Sequence, residues 1–450
     1  MKRIAIAFFF VCALSVTVSA QGVKVMTRNL YLGGALDAAL RAQSPGEVPP
    51  IVTETWAAIQ AANFSERARV LAAEIDAAKP HLIGLQEVWM FRLQIPGDFQ
   101  MGNPEQATEL ELDYLELLRD ALKERGLNYR VVATVTGTDV EVPSATGEDI
   151  RLTDREVILG RGDVEVANSQ GGNFALNLEM PIGGAEGFPV TFLRGWVSVD
   201  ATIGGQVIRF ASTHLETAGA APIQVAQAAE LQQVLSASQY PVVLVGDFNS
   251  RADGSGTESY GNFIAGGFAD AWSQIHPDAN GYTCCHADDL LNEKVEFNRR
   301  IDHILVQGDV MPTEAQIIGA DPGKRTPSGL WASDHAGMVA GLGFGRTAVL
   351  EEYQASMPKG FILAQNFPNP FNSSTAIRFV LPQNQKVKLT VHNLAGQVVA
   401  TLVHGSRSAG AYTVHWNGRN DSESDLASGT YFYRLQTGAQ VESRKLLLLK

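Results

Sequence analysis

Short apolar segments with the composition of β-strands recur along almost the whole chain, and helical patterns interrupt them only before residue 345. Strand-like runs at 23–26, 81–85 and 242–245 alternate with two clear helical patterns. The first helix is predicted at 65–79, with a Ser65 cap, and the second is an amphipathic helix at 109–125. Strands and helices mixed in this way predict a layered α/β domain.

Residues 361–450 contain strand-like runs separated by turn signals and no convincing helical pattern. Glycines such as Gly396, Gly410 and Gly429 stand between these runs. The spacing predicts a small all-β sandwich of the immunoglobulin-like kind, with roughly six or seven strands.

Charge divides the chain at the same place. Residues 21–345 contain 22 Lys and Arg against 42 Asp and Glu, whereas residues 361–450 contain 9 against 4. The segment 346–360 mixes charge with Pro358 and Gly360, and it is predicted to be a linker. A chain of 450 residues also exceeds what a single core usually organises, so we expect two folded domains, 21–345 and 361–450.

The N-terminus has the pattern of a secretory signal peptide. Lys2 and Arg3 precede an apolar run at 4–16, and small residues follow at 18–20. A buried N-terminal strand or helix is the alternative. Residues 1–20 are therefore predicted to direct export to the medium or the cell surface. No other segment has the length and apolarity of a membrane anchor.

Removal of residues 1–20 would take Cys12 with it and leave two adjacent cysteines, Cys284 and Cys285. Two cysteines alone cannot enclose a structural zinc ion. They are interpreted either as a loop feature of an exported protein or as a disulfide between neighbours beside an active site, and we favour the loop feature.

Polar side chains follow several of the apolar runs in residues 21–345, at the points where a layered α/β domain builds its sites. The set comprises Asn29, Glu87, His214, Asp247, Asn249, Asp302, Asp334 and His335. Carboxylate and amide oxygens suit Mg²⁺ or Ca²⁺, and histidines move protons near neutral pH. The combination suits metal-assisted hydrolysis of a phosphate ester.

Single members of this set have structural alternatives. Asn29 could cap a turn, Glu87 could be a surface charge, and Asp302 could be an ion-pair partner. His214 could be a buried histidine with satisfied hydrogen bonds. The ordered occurrence of the whole set, each member after the same kind of apolar run, favours the functional interpretation.

The strings LQE, THLE, GDFN, the ID of RIDHI, and SDH occur in that order between residues 23 and 343. This order resembles the endonuclease/exonuclease/phosphatase superfamily, which includes deoxyribonucleases, sphingomyelinases and inositol polyphosphate phosphatases. The resemblance implies a four-layer α/β sandwich, in which two packed β-sheets are flanked by helices.

The resemblance also implies a metal site. Glu87 would be the principal ligand of Mg²⁺, with Mn²⁺ or Ca²⁺ as alternatives, and Asn29 and Asp334 would lie near the metal. No further cofactor is implied.

The same resemblance implies the catalytic roles. His335 would be the general base, oriented by Asp302, and Asp247 would align the attacking water or assist the leaving oxygen. Asn249 and His214 would donate hydrogen bonds to phosphate oxygens.

Several nearby features have open interpretations. Arg155 and Arg194 could reach a phosphate or could be structural. The triplet 89–91, Trp-Met-Phe, could contact a lipid or a base, but core packing is the favoured interpretation. Segments 94–110 and 136–153 are predicted to be insertions over the site that set its specificity.

Residues 365–372, QNFPNPFN, are followed by HNLAGQVV, SGTYFYRL and a terminal KLLLLK. This region resembles the C-terminal sorting domains of the type nine (Por) secretion system, which implies the secretion machinery as a partner. A generic immunoglobulin-like binding module is the alternative.

The sequence as a whole predicts a secreted, divalent-metal-dependent phosphodiesterase that acts on nucleic acid or a related phosphodiester. A sphingomyelinase-like phospholipid phosphodiesterase and a non-catalytic surface-binding protein are the alternatives. The acidic balance of residues 21–345 opposes long-range attraction of a polyanion, but it does not exclude a nuclease that uses divalent cations.

Overall fold

The computed structural model of the protein describes residues 22–35, 37–102, 105–344, 361–366, 369–371, 375–407, 410–422, 424–438 and 440–449. The predicted signal peptide, the predicted linker and part of the 365–372 motif lie outside the described residues. The chain divides into two compact units, the first ending at Phe344 and the second beginning at Gly345. No helix of the described ranges has the length and apolarity that crossing a membrane requires.

The described residues of the first unit form both strands and helices. Its strands are β1 Val23–Asn29, β2 Leu82–Gln86, β3 Met90–Gln94, β4 Glu109–Asp113, β5 Tyr129–Pro143, β6 Asp149–Arg161, β7 Glu165–Asn173, β8 Leu178–Ile182, β9 Phe188–Phe192, β10 Gly195–Ile203, β11 Gln206–His214, β12 Val242–Asp247, β13 Ala269–Asp270, β14 Asp302–Gln307, β15 Val310–Ile318 and β16 Gly337–Phe344. Its helices are α1 Asp37–Leu40, α2 Val48–Ala61, α3 Phe64–Ala78, α4 Tyr114–Glu124, α5 Ala221–Ser236, α6 Ser259–Ala265 and α7 Ala271–Ile275.

Most of these strands belong to two sheets. The larger sheet has the order β15-β16-β1-β2-β6-β3-β4, with β5 paired to β6, and the smaller has the order β13-β14-β12-β11-β10-β7. Apolar side chains such as Val25, Phe210 and Val243 fill the space between the two sheets. Leu71 of α3 packs on the outer side of the larger sheet, and Leu231 of α5 packs on the outer side of the smaller one. The predicted four-layer arrangement is thereby confirmed.

The strand directions bring the ends of several strands to one edge of the sandwich. β1 runs parallel to β2, and β11 runs parallel to β12. β14 runs antiparallel to β12, so that Asp302 at its start lies opposite Asp247 at the end of β12. β16 runs antiparallel to β1 and begins just after His335. Residues distant in sequence therefore meet at this edge.

Two glycines permit the close approach of strands beneath this edge. A Cβ on Gly84 would lie 2.5 Å from a methyl group of Val245, so the two sheets come together there without a side chain between them. Gly246 has a φ of 147°, and a Cβ on it would collide with the carbonyl oxygen of Thr213. Both positions require glycine for steric reasons.

The two predicted helices are present with different N-terminal ends. α3 begins at Phe64, and its cap is the side chain of Asn63, which accepts a hydrogen bond from the backbone of Glu66; the prediction of Ser65 as the cap is wrong.

The prediction of an amphipathic helix at 109–125 is wrong for its first five residues, which are not helical. Glu109–Asp113 forms β4, in which Leu112 lies opposite Phe91 of β3, and Asp113 then caps α4. Burial of Leu112 against β3 outweighs the helical spacing of the local sequence.

The segment 136–153 is not a separate insertion. Most of it extends β5 and β6 into a long antiparallel hairpin within the larger sheet. The continuation of the ladder satisfies the backbone hydrogen bonds of both strands.

The second unit is all β in its described residues. Its strands are β17 Ile362–Leu363, β18 Thr375–Leu381, β19 Gln385–His392, β20 Val398–Arg407, β21 Gly410–Trp416, β22 Gly429–Thr437 and β23 Gln440–Leu448. They form a sheet of order β17-β18-β21 and a sheet of order β20-β19-β22-β23. Leu363, Leu389 and Leu435 belong to its apolar core. The predicted all-β architecture is confirmed.

Candidate active site

Asn29 links the two sheets at the edge where their strands end. Its Nδ2 donates to Glu87 Oε1 over 3.0 Å and to Asp247 Oδ2 over 3.2 Å. Asn29 is the last residue of β1, Glu87 directly follows β2, and Asp247 ends β12. Glu87 turns out of its strand with a φ of 55°, which aims its carboxylate at the neighbouring β1. Three of the predicted site residues are therefore in direct contact.

Asp302 and His335 form a buried pair. His335 Nδ1 lies 2.9 Å from Asp302 Oδ2, and Asp302 is fully buried at the start of β14. Because an ionised carboxylate only accepts, Nδ1 carries the proton and Nε2 is directed away from Asp302. Burial alone would lower the pKa of His335, but the carboxylates of Asp302, Asp334 and Asp247 outweigh it and raise the pKa well above its usual range.

Asp247 lies between the two histidines of the predicted set. Its Oδ2 is 3.5 Å from His214 Nε2 and 3.8 Å from His335 Nδ1, while its Oδ1 accepts from the backbone N–H of Asn249 over 2.9 Å. Burial raises the pKa of Asp247 to about 7, and the charge of Asp302 adds to the effect. This carboxyl group can therefore hold or release a proton near neutral pH.

His214 is held as a neutral ring by Arg194. Arg194 Nη1 lies 2.9 Å from His214 Nδ1, and because a guanidinium only donates, Nδ1 must be the acceptor. Burial and the charge of Arg194 lower the pKa of His214 well below its usual range. The ring proton is then on Nε2, which lies 3.5 Å from an acceptor, Asp247 Oδ2. Asn249 Nδ2, which donates to the carbonyl oxygen of Leu215, lies beside this nitrogen at 3.2 Å.

Two acidic residues of β6 lie behind His214, and neither is among the residues predicted from the sequence. Asp154 and Glu156 are buried, and Glu156 Oε1 lies 3.8 Å from His214 Nδ1. Burial raises the pKa of Asp154 to about 7 and that of Glu156 well above its usual range. Two acidic residues separated by one position on a strand, and hence on one face, are the sequence signal that would have identified them.

The residues predicted to bind a metal provide oxygen ligands. Glu87 Oε2 accepts from the backbone N–H of Leu32 over 2.9 Å and from Trp89 Nε1 over 3.3 Å. Burial raises the pKa of Asp334 to about 6, and the negative charge of Glu87 adds to the effect. Two mutually repelling carboxylates beside the Asn29 amide fit a hard divalent cation, which would neutralise them.

A buried arginine holds the loop that carries His335. Arg28 Nη1 donates to the carbonyl oxygen of His335, and Arg28 Nε donates to Glu74 Oε2 of α3 over 3.1 Å. The side chains of Arg28 and Glu74 are 1% and 4% exposed. Arg28 was not predicted as a functional residue, although it directly precedes Asn29 in the TRNL string.

A second buried arginine, Arg67 of α3, holds the neighbouring loops. Its guanidinium donates to the carbonyl oxygens of Leu30 over 2.7 Å, Tyr31 over 3.1 Å and Ala332 over 3.1 Å. These carbonyls lie beside Asn29 and Asp334 in the sequence. The loops that carry the predicted metal ligands are therefore tied to one fully buried side chain.

The structure resolves the open interpretation of Arg155. Arg155 Nη2 pairs with Asp113 at 2.6 Å, and its Nε donates to the carbonyl oxygen of Val88, so it supports the segment after Glu87. Trp89 and Phe91 are 6% and 0% exposed within the apolar core, which confirms the packing interpretation for these two residues, whereas Met90 between them is half-buried.

Cys284 and Cys285 form a disulfide beside His335. Cys284 makes isolated β-bridges with Arg299 and with His335, and Cys285 Sγ lies 3.8 Å from His335 Nε2. This is the second of the two interpretations drawn from the sequence, and the favoured interpretation as a simple loop feature is wrong.

Comparisons with known proteins assign both units. The Endonuclease/Exonuclease/phosphatase family model matches residues 57–335, and the FlgD Ig-like domain model matches residues 370–440. No curated protein matches the chain.

The solved structures to which the chain is similar are distant in sequence. A family protein from Leptotrichia buccalis is 17% identical with a TM-score of 0.46, and the match covers 72% of this chain and 100% of that one. A mannosyl-6-phosphatase from Bacteroides thetaiotaomicron is 16% identical with a TM-score of 0.44, over 72% and 100% of the two chains. Humanized TDP2 from D. rerio is 17% identical with a TM-score of 0.44, over 72% and 99%.

The family model spans more than half of the chain, and the described residues of the first unit have the two packed sheets and the histidine–carboxylate site described above. The protein belongs to the endonuclease/exonuclease/phosphatase family, whose members are hydrolases that act on phosphoester bonds.

Proposed function

We propose that the first unit is a divalent-metal-dependent phosphodiesterase that hydrolyses nucleic acid or a related phosphodiester. The observation that carries the proposal is the buried Asp302–His335 pair, whose 2.9 Å contact leaves Nε2 available for proton transfer. Asp247 and the Asn29–Glu87 contact lie on the same edge of the sandwich. One site thus contains a proton acceptor, phosphate-binding donors and hard metal ligands.

His335 acts as the general base in its neutral form, which a divalent cation bound at Asp334 would favour by neutralising one of the carboxylates that raise the pKa of this ring. Its Nε2 takes a proton from the attacking water, and the carboxylate of Asp302 stabilises the charged ring that results. Arg28 fixes the backbone carbonyl of His335, so that the ring is held from the backbone as well as from Asp302. Mg²⁺, Mn²⁺ or Ca²⁺ bound by Asn29, Glu87 and Asp334 would supply positive charge to the phosphate oxygens.

Neutral His214 and Asn249 bind the phosphate. Arg194 keeps the ring proton of His214 on Nε2, and that N–H and the Asn249 amide donate to the non-bridging phosphate oxygens. Asp247 aligns the attacking water or donates a proton to the leaving oxygen. Its raised pKa, about 7, suits either role.

A nucleic-acid substrate is favoured over a lipid substrate by the burial of Trp89 and Phe91, which leaves only the half-buried Met90 of that triplet as an apolar contact for lipid. The first unit is strongly acidic, so polyanion binding must rely on divalent cations. Activity should therefore depend steeply on the concentration of divalent metal.

The test uses the full chain, stripped of metal with a chelator and then supplied with Mg²⁺. Plasmid DNA, RNA and sphingomyelin vesicles are offered in parallel, next to bis(4-nitrophenyl) phosphate and its monoester. We expect Mg²⁺-dependent cleavage of DNA or RNA and preference for the diester over the monoester. His335→Ala should abolish cleavage, while His276→Ala, a histidine that binds the carbonyl oxygen of Ala315 outside the site, should retain it.

Other outcomes contradict parts of the proposal. Release of choline phosphate from vesicles without cleavage of DNA or RNA would show that the protein is a sphingomyelinase-like phospholipid phosphodiesterase. Preference for the monoester would make it a phosphatase. Absence of turnover on every substrate, with folded protein and all metals tested, would favour the non-catalytic binding protein.

We further propose that residues 1–20 direct export and that the second unit is a sorting domain for the type nine secretion system. The proposal is supported by the signal-peptide pattern and by the QNFPNPFN and KLLLLK strings near the two ends of an all-β unit. Deletion of residues 361–450 should leave the protein in the periplasm of a bacterium that has this system. Delivery to the surface without this unit would contradict the proposal.

A further inference from the structure

The disulfide between Cys284 and Cys285 lies against the atom of His335 that faces the reaction. Cys285 Sγ is 3.8 Å from His335 Nε2, whereas Nδ1 is occupied by Asp302. Cys284 is fully buried and Cys285 is half-buried, so the pair is reached from the side of Cys285. None of the roles proposed for the hydrolysis uses this pair.

Ligand atoms of both cysteines and of His335 lie within 4.8 Å of one another. Two thiolates and one imidazole form a ligand set that a soft or borderline cation such as Zn²⁺ prefers, in contrast to the oxygen ligands of Asn29, Glu87 and Asp334. A disulfide sulfur is a poor metal ligand, so this set exists only after reduction. The redox state of the pair therefore decides whether the three ligands are available.

Arg299 lies beside the same sulfur. Its Nη2 is 3.1 Å from Cys285 Sγ. A guanidinium next to a thiol favours the thiolate, which is the form that binds metal. After reduction, the position of Arg299 would assist the formation of this ligand.

We propose that reduced Cys284 and Cys285, together with His335 Nε2, form an inhibitory site for Zn²⁺, and that the disulfide keeps this site closed. Zn²⁺ bound there occupies the nitrogen that would take the proton from water, so the reduced, zinc-loaded protein cannot use its general base. The oxidised protein, which suits an oxidising compartment, is the active form. The proposed binding of Zn²⁺ does not depend on the proposed hydrolysis. The proposed inhibition rests on the proposed function, because it requires His335 to be the general base of that hydrolysis.

The redox step balances with a thiol reductant. A dithiol transfers two electrons and two protons to the disulfide by thiol–disulfide exchange, which yields the two cysteine thiols and the oxidised dithiol. In the laboratory a water-soluble tertiary phosphine replaces it. The S–S bond breaks, the phosphine becomes a phosphine oxide with the oxygen of water, and the two protons of that water appear on the thiols.

The test uses the full chain with Cys12→Ser, so that Cys284 and Cys285 are its only cysteines. Saturating Mg²⁺ is present throughout to occupy the oxygen-ligand site. Zn²⁺ affinity is measured by competition with a chromophoric chelator, before and after phosphine treatment. Co²⁺ serves as a second probe, because thiolate ligation gives it a sulfur-to-metal charge-transfer band.

We expect reduction to tighten Zn²⁺ binding on the order of 100-fold and to produce the Co²⁺ band. The double variant Cys284→Ser, Cys285→Ser should bind like the oxidised protein under both conditions. His335→Ala should weaken binding by about tenfold in the reduced state. His286→Gln is the matched control, because His286 is adjacent in the chain but is not among the three ligands, and it should bind like the parent.

Three results would overturn the proposal. Zn²⁺ affinity that does not change on reduction would remove the redox dependence. Tight binding that persists in the double serine variant would place the ion elsewhere. Loss of binding in His286→Gln but not in His335→Ala would show that His286, and not His335, is the third ligand. The oxidised and reduced forms of the parent, which carries only Cys12→Ser, are compared without any substitution at the proposed site. This comparison therefore stands even if one of the site variants fails to fold.

Inhibition is measured separately on whichever phosphodiester the parent cleaves. Zn²⁺ should suppress the reduced parent and spare the oxidised parent at equal Mg²⁺. Tight zinc binding without inhibition would contradict the inhibitory role while leaving the site itself established. A parent that cleaves nothing refutes the proposed hydrolysis, and the binding measurements then decide on the metal site alone.

Discussion

The two units differ in what they bury. The first unit buries charged side chains beneath its site, among them Arg28, Arg67, Glu74, Glu156 and Asp302. In the described part of the second unit, the buried polar side chains are all neutral: Asn366, Thr375, Thr390 and Thr437.

Burying a charge costs free energy unless a partner compensates for it. A unit that only has to fold can avoid this cost, and the second unit does so with an apolar core. The first unit retains buried charges where they hold candidate catalytic residues, as Arg28 and Asp302 do at His335. At the edge of the first unit, buried charges lower the stability of the fold and at the same time position the residues of the candidate site.

The largest expected effect is on turnover and is confined to the first unit. His335→Ala should lower kcat of the proposed phosphodiester hydrolysis by about 1,000-fold or more, because the proposed general base is lost. His404→Ala, at an exposed position of the second unit, should leave kcat unchanged. Steady-state kinetics gives kcat for His335→Ala and for His404→Ala, so that the effect of a change in each unit can be compared. A small loss in His335→Ala, or an equal loss in both, would break the proposed division of roles.

The buried Arg28–Glu74 pair should affect both stability and turnover. Arg28→Met should lower the free energy of unfolding by about 3–5 kcal/mol, because it leaves Glu74 buried without a partner. Arg28→Met with Glu74→Leu should recover most of that stability but not kcat, because the carbonyl of His335 still lacks its donor. Urea unfolding and kinetics on the same samples separate the two effects. Recovery of kcat together with stability would reduce Arg28 to a structural residue.

The apolar core of the second unit should affect that unit alone. Leu435 is fully buried, and Leu435→Ala should lower the stability of the second unit by about 3 kcal/mol through the lost burial and the resulting cavity. Hydrogen–deuterium exchange followed by mass spectrometry reports on each unit separately. Peptides from the first unit should be unchanged, and so should kcat. Faster exchange throughout the first unit would show that the two units are coupled.

The smallest effect is a dependence of stability on pH in the first unit. Burial, with the charge of Arg300, lowers the pKa of His303 from 6.5 to about 4, although Asp270 and Asp302 act in the opposite direction. Between those values the unfolded chain binds the proton and the folded chain does not, so stability falls as the pH decreases from 6.5 towards 4.

From pH 7 to pH 5, His303 alone should remove about 2 kcal/mol of stability. Urea unfolding at both pH values should show a smaller loss in His303→Gln than in the parent, by about that amount. His404→Ala is the control and should retain the pH dependence of the parent. An unchanged pH dependence in His303→Gln would mean that the folded protein protonates this ring.

Several elements of the fold could be predicted from local sequence. β1, β2 and β12 are apolar runs bounded by polar residues, and each occurs where a strand is predicted. α4 shows the limit of local patterns, because Leu112 continues its apolar spacing but belongs to β4 through its pairing with Phe91. A pairing partner distant in sequence is invisible to a periodicity argument.

The site shows the same division. His335, Asp302, Asp247 and Asn29 could be predicted because a polar residue after an apolar run stands out in the sequence, and the ordered strings resemble one superfamily. Arg28 inside β1 could not be distinguished from an ordinary surface arginine. Its role depends on burial against Glu74 and on the carbonyl of a residue 307 positions away in the chain.

The sequence by itself determined the class of each unit, the position of several strands along the chain and the residue types that carry the chemistry, because these depend on local composition and spacing. Only the tertiary structure decided which residues touch. The contact of Asn29 with Asp247, the neutral tautomer of His214 beside Arg194, and the disulfide beside His335 all follow from strand pairing and sheet packing. Each joins residues brought together by the burial of distant apolar segments, and no local pattern encodes such a meeting.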